Sequence, residues 1–384
     1  PYVRPFPKVA RKLLKVALKV FGAQEENRVQ AFLVVRRLAL EMPYPFIEGC
    51  FKGLYLTFVR HSKFSNVNVA AGQQFMAQCV VELFGLDLSV AYEHAFVYIR
   101  QLAIQLRSAL TATAQKSQET HQVISSWQFV NSLKLWTRMC ASYPSKDGMA
   151  ALVYPLVQVA LGTITHLNAP KYLPLRLQVC QALIRLQRQA DVYIPLGPHL
   201  LDALARNDLH STSAKPGLAA LDFTAHLKVN KNVLSTRTYQ DAALTNSLEN
   251  LMLFAGASSY SAGFPELVVP IVMQLKRFAK ATQVARFRRQ VKDSVERLER
   301  QSAFISRLRN SANMSPQDEV SLNSLKDRDP HKQAPLYNLY EQSAQMAAAD
   351  LENVLQARNT KVPARKHQDP DDSPSDDDDE NEEE

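Results

Sequence analysis

Glycine is scarce in this chain, at 11 of 384 residues, against ~7% in an average protein. Rossmann sheets, phosphate-binding loops and β-sandwiches spend glycine on tight turns, so the scarcity points away from them and toward helices. Cysteine is limited to Cys50, Cys79, Cys140 and Cys180, far apart, with no CxxC pair and no histidine at finger spacing. That spacing excludes a zinc finger. Each cysteine sits in an apolar helical context and is expected as a buried, reduced thiol, which fits a reducing compartment. GxSxG, GxxxxGK[ST], HExxH, GxGxxG and a DFG-type set are all absent, so no catalytic machinery is expected. The histidines are scattered singly; His94 and His166 fall in helical stretches as core or half-exposed side chains. Glu296 and Glu299 stand among arginines at helical spacing, where ion pairs explain them. An enzyme, a metal centre and a cofactor are therefore not expected. No apolar run reads as a membrane span, so no membrane partner is expected. The basic N-terminus opens at Pro1, as a fragment or processed form would, and lacks the apolar core of a secretory signal.

What is present is apolar and basic. Hydrophobic residues make up 46% of the chain, enough for a sizeable core. The formal charge of +8 hides a split: residues 369–384 hold eleven acids and no Lys or Arg, leaving +19 on the rest. Such a body suits a polyanionic partner. No proline occurs between Pro45 and Pro144. Each interior proline costs a helix about 3 kcal/mol, so this is where long helices can run. Periodicity predicts helices near 8–21, 25–41, 45–61, 67–84, 88–115, 119–141, 149–167, 171–189, 195–206, 237–261, 265–281 and 283–310. The expected fold is all-α, an irregular HEAT- or armadillo-like α-solenoid with a disordered acidic C-terminal tail. Residues 1–206 form the N-terminal array and 207–236 an extended crossing segment. Residues 237–310 form C-terminal helices with a basic face, 311–359 a partly ordered polar extension, and 360–384 the tail.

Two helices gather their charge. In 8–21, Val9, Leu13, Val16 and Val20 form a narrow apolar stripe, with Lys8, Arg11, Lys12, Lys15 and Lys19 on one flank. In 283–310, Val284, Phe287, Val291, Val295, Leu298 and Ile305 share a stripe, and Arg286, Arg289, Arg297, Arg300 and Arg307 lie on the opposite face. Residues 276–309 hold eleven Lys/Arg against three Asp/Glu, and arginine predominates, which favours phosphate forks. Both cation rows are candidate RNA phosphate contacts, reading backbone rather than bases. The 119–141 stretch is apolar on every side: Trp127, Leu133, Leu135 and Trp136 imply a central helix or a partner interface. Ser373 precedes a proline and Ser375 precedes an acidic run, so both are candidate phosphorylation sites.

One segment carries a resemblance: YPLVQVALGTITHLNAPKYLPLRLQVCQALIRLQRQADVYIPLGPHLLDAL, from Tyr154 to Leu204. With PYVRPFPKVARKLLKVAL (1–18), KGLYLTFVRHSKF (52–64), FVYIRQLAIQLRSAL (96–110), WQFVNSLKLW (127–136), LSTRTYQDA (234–242) and FPELVVPIVMQLKRFAK (264–280), it resembles the nucleolar complex protein 2 family in collinear order. The resemblance implies a non-catalytic helical-repeat factor of large-subunit ribosome biogenesis. Its implied partners are nucleolar complex protein 1 or 3, pre-rRNA and the pre-ribosomal particle, in the nucleolus and nucleoplasm. Two other classes fit the composition: a nuclear transport-type adaptor, and a histone or chromatin binder holding basic proteins on residues 369–384. Arg176, one turn into its helix, is expected to pair across a repeat junction.

Overall fold

The structure, a computed structural model, describes residues 3–23, 27–65, 67–112, 117–144, 148–205, 209, 221–311, 325, 327, 329 and 333–359. The expected tail (360–384), with Ser373 and Ser375, lies outside them. The fold is all-α, with no strand among the described residues. In chain order the helices are α1 (Pro7–Ala23), α2 (Arg28–Glu41), α3 (Phe46–His61), α4 (Val67–Phe84), α5 (Leu88–Leu110), α6 (Ser117–Ile124), α7 (Trp127–Ser142) and α8 (Met149–His166). A 3-10 turn (Pro170–Tyr172) leads to α9 (Leu173–Gln189), α10 (Gly197–Leu201), α11 (Lys231–Leu234), α12 (Arg237–Ala257), α13 (Phe264–Ala281), α14 (Ala285–Ser311) and α15 (Pro335–Asn359). Their starts follow from local chemistry. Asp87 accepts from Ser89 N and Val90 N, and Thr236 accepts from Tyr239 N, which satisfies first-turn donors. Pro174, Pro198 and Pro265 sit in first turns, where no amide hydrogen is needed.

Helices stack largely on their chain neighbours. α1 packs on α2 and α3, α5 on α8, α7 on α8 and α9, α9 on α12, and α13 on α14. α15 lies along α12, touches α14 and reaches back to α4 in the first half of the array. Gly256 permits this approach, because a Cβ there would stand 2.8 Å from the Leu336 carbonyl oxygen. The connecting segment before α11 runs without regular structure over 221–230 and is pinned to α9. Val229 N donates to the Lys171 carbonyl at 2.8 Å, and Gln178 Nε2 donates to the Phe223 and His226 carbonyls at 2.7 and 2.9 Å. Buried glutamines repeat that device. Gln73 holds the His61 and Phe64 carbonyls, Gln187 holds Ser258 and the Ile194 amide, and Gln301 holds the Ser259 carbonyl and the Leu336 amide.

Three expectations are corrected. The 119–141 stretch is two helices, because Ser126 turns the chain and caps α7 by accepting from Phe129 N. Leu133, Leu135 and Trp136 are buried within this chain, so they are core and not a partner interface; Trp127 is half-buried. Trp136 lies among Tyr55, Phe84 and Tyr98, with ring centroids 5.2–5.8 Å away. In α1 the buried stripe is Ala10, Leu14, Ala17 and Phe21, whereas Val9, Leu13 and Val16 are 52%, 37% and 59% exposed. Finally, α8 holds 18 residues without a charged side chain and is long and apolar enough to cross a membrane by length and composition, contrary to the sequence reading. It packs against α5, α7 and α9, and half of it is buried.

Candidate nucleic-acid interface

α14 is fixed by the six apolar residues its periodicity singles out: Val284, at its threshold, and Phe287, Val291, Val295, Leu298 and Ile305 are all buried. Its arginines are consequently pushed outward. Arg286, Arg289, Arg297, Arg300 and Arg307 are all exposed. At ~100° per residue, Arg289, Arg300 and Arg307 lie about 170° from the centre of the stripe, on the face opposite it, and Arg286 and Arg297 stand to one side of them. Phe304 shares the azimuth of Arg286, eighteen residues or five turns away, and packs partly against the core. Two of the five are partly compensated: Arg286 stands 3.5 Å from Asp241, and Arg300 pairs with Glu296 one turn earlier. Arg289, Arg297 and Arg307 have no ion pair among the described residues. Exposed pairs of this kind contribute little to stability, so the row is available for another anion.

The other flank of α14 is used structurally. Arg288 donates to the Ala279 and Thr282 carbonyls at the end of α13, where a cation complements the helix dipole. Lys276 Nζ pairs with Glu299 at 2.7 Å, and Arg309 with Glu266 at 2.8 Å. Between α13 and α14, Lys276, Lys280, Arg288 and Lys292 line a shallow groove with Glu296 and Glu299. Two carboxylates offset half of the four cations there, and Lys276 is paired, so this side is less basic than the arginine row.

The second cation row is on α1. Lys8, Arg11, Lys12, Lys15 and Lys19 are all exposed, without an ion pair among the described residues. α1 packs on α2 and α3, while α14 packs on α12, α13 and α15. The structure therefore does not merge the two rows into one patch. Sequence reasoning missed a further basic cluster, on α7 and α9. Lys134 Nζ donates to Gln178 Oε1 at 2.6 Å, and Arg138 donates to the Gln74 carbonyl at 3.2 Å. Burial, with Arg185 and Arg138 nearby, brings the Lys134 ammonium down to about 8. The available signal was the i, i+4 pair Lys134 and Arg138 on an otherwise uncharged helix. Arg176, by contrast, is where its sequence position suggests. It is 4% exposed and joins α9 to α10 through Asp202 Oδ2 at 2.8 Å, with the Asn168 and His199 carbonyls at 3.4 Å.

Comparison with known proteins adds an independent line. The family model described as the Noc2p family matches residues 45–343. Nucleolar complex protein 2 of Drosophila melanogaster is 32% identical over 314 residues, covering 82% of this chain and 41% of the fly protein. Nucleolar complex-associated protein 2 of Arabidopsis thaliana is 31% identical over 357 residues, covering 93% of this chain and 46% of the plant protein. Protein REBELOTE, also of Arabidopsis thaliana, is 27% identical over 346 residues, 89% of this chain and 57% of its own length. The chain spans about half the length of the curated relatives it matches.

Proposed function

The chain belongs to the Noc2p family, and on that premise we propose that it is a non-catalytic scaffold in the assembly of the large ribosomal subunit, acting in the nucleolus and nucleoplasm. The relatives named nucleolar complex proteins support the compartment. The observation that carries the mechanism is the outward arginine row of α14, of which Arg289, Arg297 and Arg307 have no counter-ion among the described residues. In this reading the helices form an irregular α-solenoid whose basic surfaces hold pre-rRNA by its phosphates. Arg286, Arg289, Arg297, Arg300 and Arg307 form one such surface, and Lys8, Arg11, Lys12, Lys15 and Lys19 a second. Phosphate contact of this kind positions the RNA without reading its sequence.

A scaffold also needs protein contacts, and the family points to nucleolar complex protein 1 or 3. With Leu133, Leu135 and Trp136 spent in the core, the apolar surface for such a partner is better sought on α1 and α2. There Val9, Val16, Leu33 and Leu40 are each more than half exposed. Purification of the tagged chain from cells, with mass spectrometry and sequencing of crosslinked RNA, tests the reading. Pre-rRNA crosslinks together with large-subunit assembly factors and one of these partners are expected. Recovery with transport receptors or chromatin, and no pre-rRNA, would sink it.

A further inference from the structure

A cavity of about 560 Å³ lies between α9, α12, α14 and α15. Three of its polar side chains turn their donors away from it: Asn246 Nδ2 donates to the Ala242 carbonyl at 2.9 Å, Asn250 Nδ2 to the Asn246 carbonyl at 2.8 Å, and the Ser294 hydroxyl to the Gln290 carbonyl at 3.0 Å. Because each partner is a backbone carbonyl, these bonds also fix which end of each amide is the nitrogen. Two acceptors are left over. Among the described residues, Asn250 Oδ1 and Gln290 Oε1 are buried without a hydrogen-bond partner, and Asn250 as a whole is only 7% exposed. Glu249 and Asp293 stand at the mouth of the same cavity. Neither has an ion pair among the described residues, and partial desolvation raises the Glu249 carboxyl.

A buried acceptor without a donor is left desolvated and unmatched, so a ligand rich in donors relieves what the fold leaves open. Two uncompensated carboxylates at the mouth add that the donor should be cationic. Such a site is out of keeping with a body of net charge +19, which marks it as something other than average surface. A planar guanidinium brings five donors and a permanent charge, and suits several acceptors at once better than an ammonium does. The apolar wall, with Leu177, Met252 and Leu253, suits the methylene stem of such a side chain. An RNA phosphate would meet Glu249 and Asp293 head-on, and a neutral base would leave both carboxylates unpaired. Arg297, exposed at the rim, is the single cation lining the cavity.

We propose that this cavity is a receptor for an arginine side chain presented by an extended basic segment of another protein. The test uses the full chain and two labelled peptides: three arginines separated by glycines, and a twin with citrulline in their place. Citrulline keeps the shape and removes the charge. The arginine peptide should bind, with Glu249→Gln weakening it about tenfold and the addition of Asp293→Asn weakening it further, since charge-assisted bonds are lost. The citrulline twin should bind poorly to every form. On the unsubstituted chain, arginine amide should displace the peptide and citrulline amide should not. This second readout is independent of how the variants fold. Equal binding of the arginine peptide to the chain and to the double variant would overturn the proposal, placing the cation elsewhere, for instance on residues 369–384. So would equal binding of the two peptides, or substitutions that weaken RNA and leave the peptide untouched.

Discussion

Arg176 is charged, 4% exposed and bonded at three points, so its guanidinium is part of the joint between α9 and α10. Replacing it by methionine keeps the stem and removes the fork. A loss of about 2–4 kcal/mol is expected in urea unfolding, tempered because Asp202 is half-exposed and rehydrates. Lys134 illustrates the opposite sign. Its ammonium is held down to about 8 by burial and by Arg185 and Arg138. The unfolded chain keeps it near 10.4. Between those values the unfolded state binds the extra proton, so stability rises with pH. The difference in stability between the natural chain and Lys134→Met should therefore move in favour of the natural chain from about pH 8 to pH 10. A flat difference across that range would show that Lys134 is solvated. The four cysteines are buried, and burial pushes each thiol up to about 12. They should react with a thiol reagent only as fast as the chain opens.

Helices, more than single residues, decide how the chain is held together, and their joints are polar. Gln301 is fully buried and bridges the turn after α12 to the first amides of α15. Gln301→Ala should raise hydrogen exchange across 335–359 well before it affects α7, because it cuts the contact that docks α15. Uniform exchange in both regions would contradict that. The helices themselves were legible from the proline-free window and from capping residues such as Asp87. The break at Ser126 was not, because apolar side chains continue on both sides of it and only the cap geometry shows the turn. α1 shows a different limit. Val9, Leu13, Val16 and Val20 repeat at the same spacing as Ala10, Leu14, Ala17 and Phe21, so periodicity cannot choose between them. Close approach to α2 and α3 does choose, and it favours small side chains: Gly53 of α3 meets Leu18, and Gly22 of α1 meets His61.

At the scale of the molecule, the chain is an apolar helical array carrying excess positive charge on separate rows. The outward position of the α14 arginines was readable because their helix has one unambiguous apolar stripe. The Lys134 cluster and the acceptor-lined cavity were not, since each is assembled from helices distant in sequence, α7 with α9 and α9 with α12 and α14. The chain belongs to the Noc2p family; the proposed role in ribosome assembly rests on that membership, and the arginine row is the proposed means of holding RNA. The most direct measurement is the salt dependence of RNA binding by the natural chain and by the triple variant Arg289→Glu, Arg297→Glu, Arg300→Glu. Each phosphate neutralised adds about 0.7 to the log–log slope on single strands and about 0.9 on a duplex. The triple variant should bind more weakly and with a slope lower by about two to three units, while its unfolding is nearly unchanged because exposed arginines cost little to replace. An unchanged slope would contradict the assignment and send the search to Lys8, Arg11, Lys12, Lys15 and Lys19.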